Sequence, residues 1–435
     1  MKTPDVAPTG LSRRRPGREG SALLLTVSFV MLTGMVTGAL ISAAVTHRRM
    51  ADRSYQRERA FNIAEGGLEA ACQIIAARGD LLPDPYVTNG ALNGGNFYCT
   101  IDRTSSFTYA LSSTGVANNV KWVVQARRVE QPSWAKYALW MDINGNIYFI
   151  GGESFYGHVH SNTRLYFDQT GGDGADFYDR ITTATNGYSG TTNGATFAYG
   201  LELNADQDSM ANVNFTNLLD TATLAGYVVT GHTIVTLTGT TMRVTNQRKG
   251  WTNHSITVGT NAIMYVKTIT SGGASTNRAG RLMISGRLDG RITFVTDEDV
   301  MIRGHLTYAT YPTNAGADDA IGLVSRDDIW IDTTMPNNAN VHAAMMATGQ
   351  LPSDNGSFGV VNHSSGSARG DLNVWGSIVQ EVRGAVGTFG GSGTTTGYSK
   401  KYGFDRRFLT SPPPYYPRLA TKLSLYDWRE GPTGI

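Results

Sequence analysis

Few residues in this chain have the types and spacing that chemistry asks for. His158 and His160 stand two apart in FYGHVHSN; on a strand both point to one side and could bind a metal. No third ligand accompanies them in sequence, so the pair is expected to line a solvent face. Asp297, Glu298 and Asp299 crowd one segment, and Asp327 and Asp328 another. Calcium takes clustered carboxylates of this kind, but no EF-hand spacing is present, and acids at tight turns are ordinarily just solvated. Cys72 and Cys99 are the only cysteines, which excludes a disulfide framework or a Cys-rich zinc site. No G-x-S-x-G, H-E-x-x-H, P-loop or dinucleotide glycine signature occurs. No catalytic residue, metal or cofactor is therefore expected, and the chain is not read as an enzyme.

Composition points to architecture instead. The chain has 435 residues, a net charge of +2 and only 17% charged residues. That balance makes no basic field for nucleic acid. Glycine accounts for 51 residues, and the excess sits with Thr, Asn and Ser after residue 85. Such a composition suits short strands joined by turns, not a helical bundle.

The first eighty residues are different. From Ser21 to Thr46 no charge interrupts the sequence, and about 20 apolar residues suffice to cross a bilayer. A secretory signal has a shorter apolar core that ends at a cleavage site. Here the helix signal continues through HRRMADRSYQRERAFNIAEGGLEAACQIIAAR, residues 47–78. Phe61, Ala64, Leu68, Ala71, Cys72 and Ile75 recur at helical spacing and make one stripe. Gly66 and Gly67 weaken the helix locally, and Gly79 and Pro83 end it. A single helix over residues 21–79 would be greasy all round in its first half and amphipathic in its second. Basic residues flank the apolar run on both sides, so charge does not orient it. A cytoplasmic N-terminus is expected because the Gly/Thr/Asn-rich bulk suits an exported domain.

These residues carry a resemblance. A basic leader, residues 1–20, with Gly20 directly before the apolar helix, resembles the prepilin signal of type IV pilins. RRMADRSYQRERAFNIAEGGLEAA resembles the N-terminus of PilX-type minor pilins, and the matching positions are Arg49, Met50, Arg57, Ala60, Phe61, Ala64, Glu65 and Leu68. The resemblance covers about residues 13–78. It implies cleavage by prepilin peptidase between Gly20 and Ser21, methylation of Ser21, and a helix that leaves the inner membrane to pack with other pilins. Its other partners would be membrane lipid and pilus assembly proteins, not nucleic acid. One departure stands out. The fifth residue after the cut is glutamate in most pilins and pairs with a neighbour's amine; here it is Leu25. That argues against a bulk-polymerising subunit and favours a minor, initiating or tip role.

Residues 80–135 read as a small β segment with strands near Phe97–Asp102, Thr108–Thr114 and Lys121–Val129, packed on the helical stripe. Such packing would bring Cys72 and Cys99 together, as a disulfide or as two buried free thiols. Beyond Ala135 a loose motif recurs: FYGHV, ISGRL, IRGHL, VHAAM and VWGSI all read apolar–x–small–x–apolar. FVTDEDVMI (294–302) and LVSRDDIWI (323–331) are also alike. Recurring short strands suggest stacked rungs, with the small residue where the next rung approaches. Residues 136–400 are therefore read as an irregular β-solenoid, with a β-sandwich as the alternative and residues 169–196 as low-complexity loop. The aromatic tail 401–435 is expected to cap the open end of the stack or to stack on sugars, with PPPYYP as an extended strap. This C-terminal half also resembles an uncharacterised domain found after PilX-type N-termini, which implies architecture and no activity.

The fold class is thus α+β, a long N-terminal helix followed by a large β-rich domain. The functional expectation is a minor pilin or pseudopilin of a type IV pilus or a type II secretion-like system. The domain would be displayed in the periplasm or on a filament, for pilus assembly or cell adhesion. A single-pass envelope anchor that never polymerises is the second reading. An anchored carbohydrate-active enzyme, with paired acids on one solenoid face, is the third.

Overall fold

The computed structural model describes residues 19–79, 82–104, 108–210, 213–269, 279–350, 355–419 and 423–432. The basic leader expected at 1–20 lies outside them up to residue 18. One helix, α1 (Glu19–Arg78, 60 residues), opens the chain. At 1.5 Å per residue it is about 90 Å long. It is followed by a large, mostly β domain, so the fold is α+β.

The second half of α1 lies on an antiparallel sheet of β1 (Tyr86–Leu92), β2 (Gly95–Arg103), β3 (Thr108–Ala117) and β4 (Val120–Glu130). β1 was not anticipated; its sequence YVTNGAL has weak strand propensity, and its pairing with β2 through a short turn at Asn93 and Gly94 holds it. A fifth strand, Ser424–Gly431, comes from the far end of the chain and pairs antiparallel with β4. The helical stripe Ala64, Leu68, Ala71, Cys72 and Ile75 meets Cys99, Ile101, Leu111 and Val124 in one buried cluster. Each fully buried Leu or Ile in such a contact contributes roughly 1.5–3 kcal/mol.

From Leu139 onward the strands are mostly short and parallel, and most pair with a strand one turn of the coil away, while hairpins such as Thr233–Gly239 with Thr241–Asn246 are antiparallel. On the first flank, Ala262–Lys267, Arg291–Thr296 and Ala320–Ser325 follow one another in register. The two similar nonapeptides are neighbouring rungs. Phe294 pairs with Leu323 and Thr296 with Ser325; after the acidic turn Val300 pairs with Ile329 and Ile302 with Ile331. The interior is mainly apolar, from Leu139, Phe155 and Phe177 to Ile292, Leu323, Val341 and Val374.

The recurring motif marks corners of the coil. In VWGSI, Val374 pairs with Tyr402 on one flank while Ile378 pairs with Leu139 on the next. Gly376 stands between them, where a Cβ would lie 1.9 Å from the carbonyl oxygen of Ala343. Gly286 in ISGRL is likewise 2.2 Å from the carbonyl of Leu237 at a φ of 112°, so only glycine fits.

The winding order is not sequential. The chain joins the stack mid-way at Leu139–Ile143 and coils outward through Val159–Ser161 and Ile181–Thr183 to Leu201–Leu203. Helix α2 (Phe215–Ala225) then carries it to the opposite end at Tyr227–Thr230. It coils back until Ala368–Val382 pairs with Leu139–Ile143. Parts of the segment expected as loop at 169–196 form rungs: Asp176–Phe177 and Ile181–Thr183 pair with neighbours despite their polar surroundings.

The tail does not cap an end. Residues 405–419 run along the outside of the first flank, where Phe408, Tyr416 and Leu419 cover Val295, Val324, Met346 and Val379. The Arg291 guanidinium donates to the Pro412 carbonyl at 2.6 Å, and Thr293 Oγ1 to that of Pro414 at 2.5 Å. PPPYYP was expected to be extended, but it turns: the Tyr416 amide donates to the Pro413 carbonyl at 3.2 Å, with Tyr415 at a φ of 57°. The tail lies here because this flank is apolar on both faces, as strands such as AIGLVS show, and the outer face needs a cover.

Candidate functional site

The residues that carry the sequence resemblance lie on α1, and the structure divides them into two groups. Ala60, Ala64 and Leu68 are buried, with Phe61 and Glu65 half-buried beside them. The fit is set by backbone approach. A Cβ on Gly115 of β3 would lie 2.0 Å from the Ala60 carbonyl oxygen and 2.5 Å from the Ala64 nitrogen. On the helix side, a Cβ on Gly67 would meet Ser113 Oγ at 2.4 Å and the Phe97 ring at 2.7 Å. The glycines that weaken the helix locally are thus what let it sit against the sheet. Ile63, absent from the predicted stripe, is fully buried against Ala60 and Ala117. Arg59, on the same turn, donates through Nε to the Asn93 carbonyl at 3.0 Å and holds the β1–β2 turn.

The second group stands clear of the other described domains. Every residue from Ser21 to Tyr55 is exposed. Leu25 is 71% exposed and Met35 72%. Arg49, Met50 and Arg57 are exposed as well. The threonines of this stretch satisfy themselves by donating back one turn, as Thr33 Oγ1 does to Phe29 O at 2.8 Å. The helix is long and apolar enough to cross a membrane. Gly34 and Gly38 leave open space where another helix can approach closely. At Leu25 there is no carboxylate to seek a buried partner.

Cys72 and Cys99 lie in the same buried cluster between α1 and β2, both as free thiols. Burial pushes the Cys72 thiol up to about 11, with Glu69 adding to it, and the Cys99 thiol up to about 12, with Cys72 adding to it.

The polar clusters of the stack have structural partners. His158 and His160 do not face solvent; they lie beside Tyr137, with ring centroids 4.9 and 5.9 Å away. The Thr182 hydroxyl lies 3.0 Å from His158 Nε2 and 2.7 Å from His160 Nδ1, and His160 Nε2 lies 2.9 Å from Asn162 Oδ1. Burial draws His158 down to about 4, with His160 and Arg180 assisting. Carboxylate oxygens of Asp299, Asp327 and Asp328 gather within 4.8 Å of one another. Their bonds run to protein. Asp299 pairs with Arg281, and Asp328 Oδ1 accepts from the Ser357 amide at 2.6 Å. Asp297 accepts from the Tyr265 hydroxyl at 2.6 Å and pairs with Arg326 at 3.3 Å. These acids tie one rung turn to the next.

One buried network was not foreseen. Lys400 pairs with Glu153 and donates to the Tyr148 carbonyl at 3.3 Å. Arg383 donates to Asn144 Oδ1 at 2.9 Å and to the Ile147 carbonyl at 3.0 Å, with its guanidinium 3.8 Å from the Phe149 ring centroid. Burial draws Lys400 down to about 8, Arg383 adds to that, and Glu153 opposes it. These residues sit where the early and late coils of the stack join. In sequence they are separated by some 240 positions, and no local pattern marks them.

No family model and no curated protein matches the chain. Among solved structures, the competence-associated pilin ComZ from Thermus thermophilus is similar at 12% identity and a TM-score of 0.31. The similarity covers 86% of this chain and 97% of that one. A likeness that distant has no bearing on function.

Proposed function

We propose that the chain is a minor pilin or pseudopilin of the PilX type that carries a large β domain outside the inner membrane. The observation that carries this reading is the division of α1. Its second half is sealed onto a small antiparallel sheet through Ala60, Ala64 and Gly115, while its apolar first half projects with no cover from the other described residues. A bare apolar helix needs lipid or other helices around it. The two environments are those of a pilin before and after assembly. In this reading prepilin peptidase trims the chain after Gly20, Ser21 becomes the methylated terminus, and α1 packs with the helices of other pilins. The leucine at position 25 suits a subunit that starts or tips a filament, because it demands no partner from the subunit below. The β domain serves assembly or adhesion and carries out no catalysis.

The test is the intact mass of the membrane-extracted chain, expressed with and without a prepilin peptidase. Loss of residues 1–20 only with the peptidase is the expected result. An untrimmed terminus in both strains would favour the second reading, a permanent single-pass anchor. That reading accounts for the exposed apolar helix equally well, but not for the fit of Ala60 to Leu68.

A further inference from the structure

The flank of the stack next to the strapped one carries two rows of outward side chains. In-register parallel strands place equivalent residues side by side, about 4.8 Å apart from strand to strand. The first row is polar: Asn340 pairs with Asn373, Asn373 with Lys401, Lys401 with Ser154 and Ser154 with Asp176. The second, two residues further along each strand, is aromatic: His342 pairs with Trp375, Trp375 with Gly403 and Gly403 with Tyr156, and Tyr178 follows. Gly403 is what lets the Trp375 ring lie down over the neighbouring strand, since a Cβ there would be 2.5 Å from the indole. Tyr311 rises beside the rows, with its ring 5.5 Å from Trp375. Two adjoining depressions of 450 and 510 Å³ result, and both are lined by Tyr156 and Trp375.

This surface differs in kind from the strapped flank. There, outward aromatic and aliphatic residues are covered. Here Tyr156, Tyr178 and Tyr311 stay 50%, 42% and 45% exposed. Aromatic faces beside a row of amide, hydroxyl and charged groups match one ligand chemistry well. The C–H faces of a pyranose stack on the rings, and its hydroxyls take bonds from Asn340, Asn373 and Lys401. The charge of the groove is mixed, with Lys401 beside Asp371 in one depression and Arg406 and Arg407 beside Asp179 and Asp405 in the other, so it lacks the uniformly positive track that a nucleic acid backbone needs. Repetition of both rows from rung to rung suits a polymer laid along the stack. We propose that this groove binds an extended neutral oligosaccharide without cleaving it. The site is independent of whether α1 enters a filament.

The experiment uses the full chain in an amine-oxide detergent, which has no sugar headgroup to compete. Hexasaccharides of β-1,4-linked glucose and of β-1,4-linked N-acetylglucosamine are titrated by calorimetry and by tryptophan fluorescence. Saturable binding of at least one at submillimolar concentration is expected. Tyr156→Ala and Tyr311→Ala, both at exposed positions, should each weaken it about tenfold, which is about 1.4 kcal/mol. Asn373→Ala should weaken it several-fold, and unchanged circular dichroism would certify each fold. The proposal is overturned if neither hexasaccharide binds the wild-type chain. It is also overturned if binding is indifferent to all three substitutions, or if a short single-stranded oligonucleotide occupies the groove and the sugars do not.

Discussion

The helix-bearing head sheet and the parallel stack are held together by different means. In the head, one sheet face is packed and the other is wet: β1 alternates along its length, and Val87 and Tyr98 are more than half exposed. Its cohesion is steric and depends on how closely the backbones of α1 and β3 approach at Ala60, Ala64 and Gly115. In the stack, the first flank is buried on both faces, and charged groups enter the interior. Its cohesion depends on polar groups that must find partners, at the rung turns and at the Glu153–Lys400 join. The difference teaches that the two regions should fail under different insults.

The largest expected effect is at the join. Glu153→Gln leaves the Lys400 ammonium buried without its counter-charge and should cost the stack about 3–5 kcal/mol. The double change Glu153→Met with Lys400→Met should recover most of that loss in chemical denaturation. A double variant no better than the single one would mean that the ion pair is not what joins the coils. Next comes the head. Gly115→Val drives side-chain atoms into the α1 backbone and should cost about 3 kcal/mol, the upper end for overpacking. Limited proteolysis should then release α1 while the stack stays resistant. Simultaneous loss of both regions would break the comparison, because it would make them one cooperative unit.

Acid should separate the regions in the opposite sense. Burial holds His158 and His342 down to about 4, against Asp179 and Asp405 respectively, which act to raise them. Their unfolded values are near 6.5, so between pH about 6.5 and about 4 the unfolded chain binds more protons. The stability they confer is complete above that window and is lost as pH falls through it. Between Ala60 and Glu130 there is no histidine, so the head has no such loss. Denaturation at pH about 7 and about 4.5 should show the stack transition moving and the head transition held, and His342→Asn should reduce the movement. The smallest effect is kinetic. With thiols raised to about 11 and about 12, Cys72 and Cys99 are protonated at neutral pH and should resist iodoacetamide until the head unfolds. A native chain that takes up two labels quickly would mean that α1 lifts off the sheet.

Much of this architecture was legible wherever a local period carries it. The break-free apolar run and the stripe from Phe61 to Ile75 define α1 and its buried side. The 29-residue echo between FVTDEDVMI and LVSRDDIWI aligns residue for residue in the ladder, because stacked rungs repeat their turn chemistry. Thr296 and Ser325 each accept from the amide two residues on, at 3.2 and 3.1 Å. What sequence missed is non-local. The Ser424–Gly431 strand pairs with β4 across nearly three hundred residues. The tail was expected at an open end because exposed rungs need a cap; it lies on a flank because that flank's outward residues are apolar. His158 and His160 were expected in solvent because alternation alone does not tell which outer face is covered.

Sequence by itself therefore determined the elements: a helix in two parts, short strands with small residues at their corners, and a proline-rich segment that forms no rung. Each follows from side-chain period, backbone freedom or a missing amide, which act within a few residues. Tertiary structure alone decided the winding order, the mid-stack join of Glu153 with Lys400, and which flank is strapped and which stays open. Those are set by which apolar faces must be hidden together and which buried charges must meet. That balance of desolvation against contact exists only once residues far apart in the chain are neighbours.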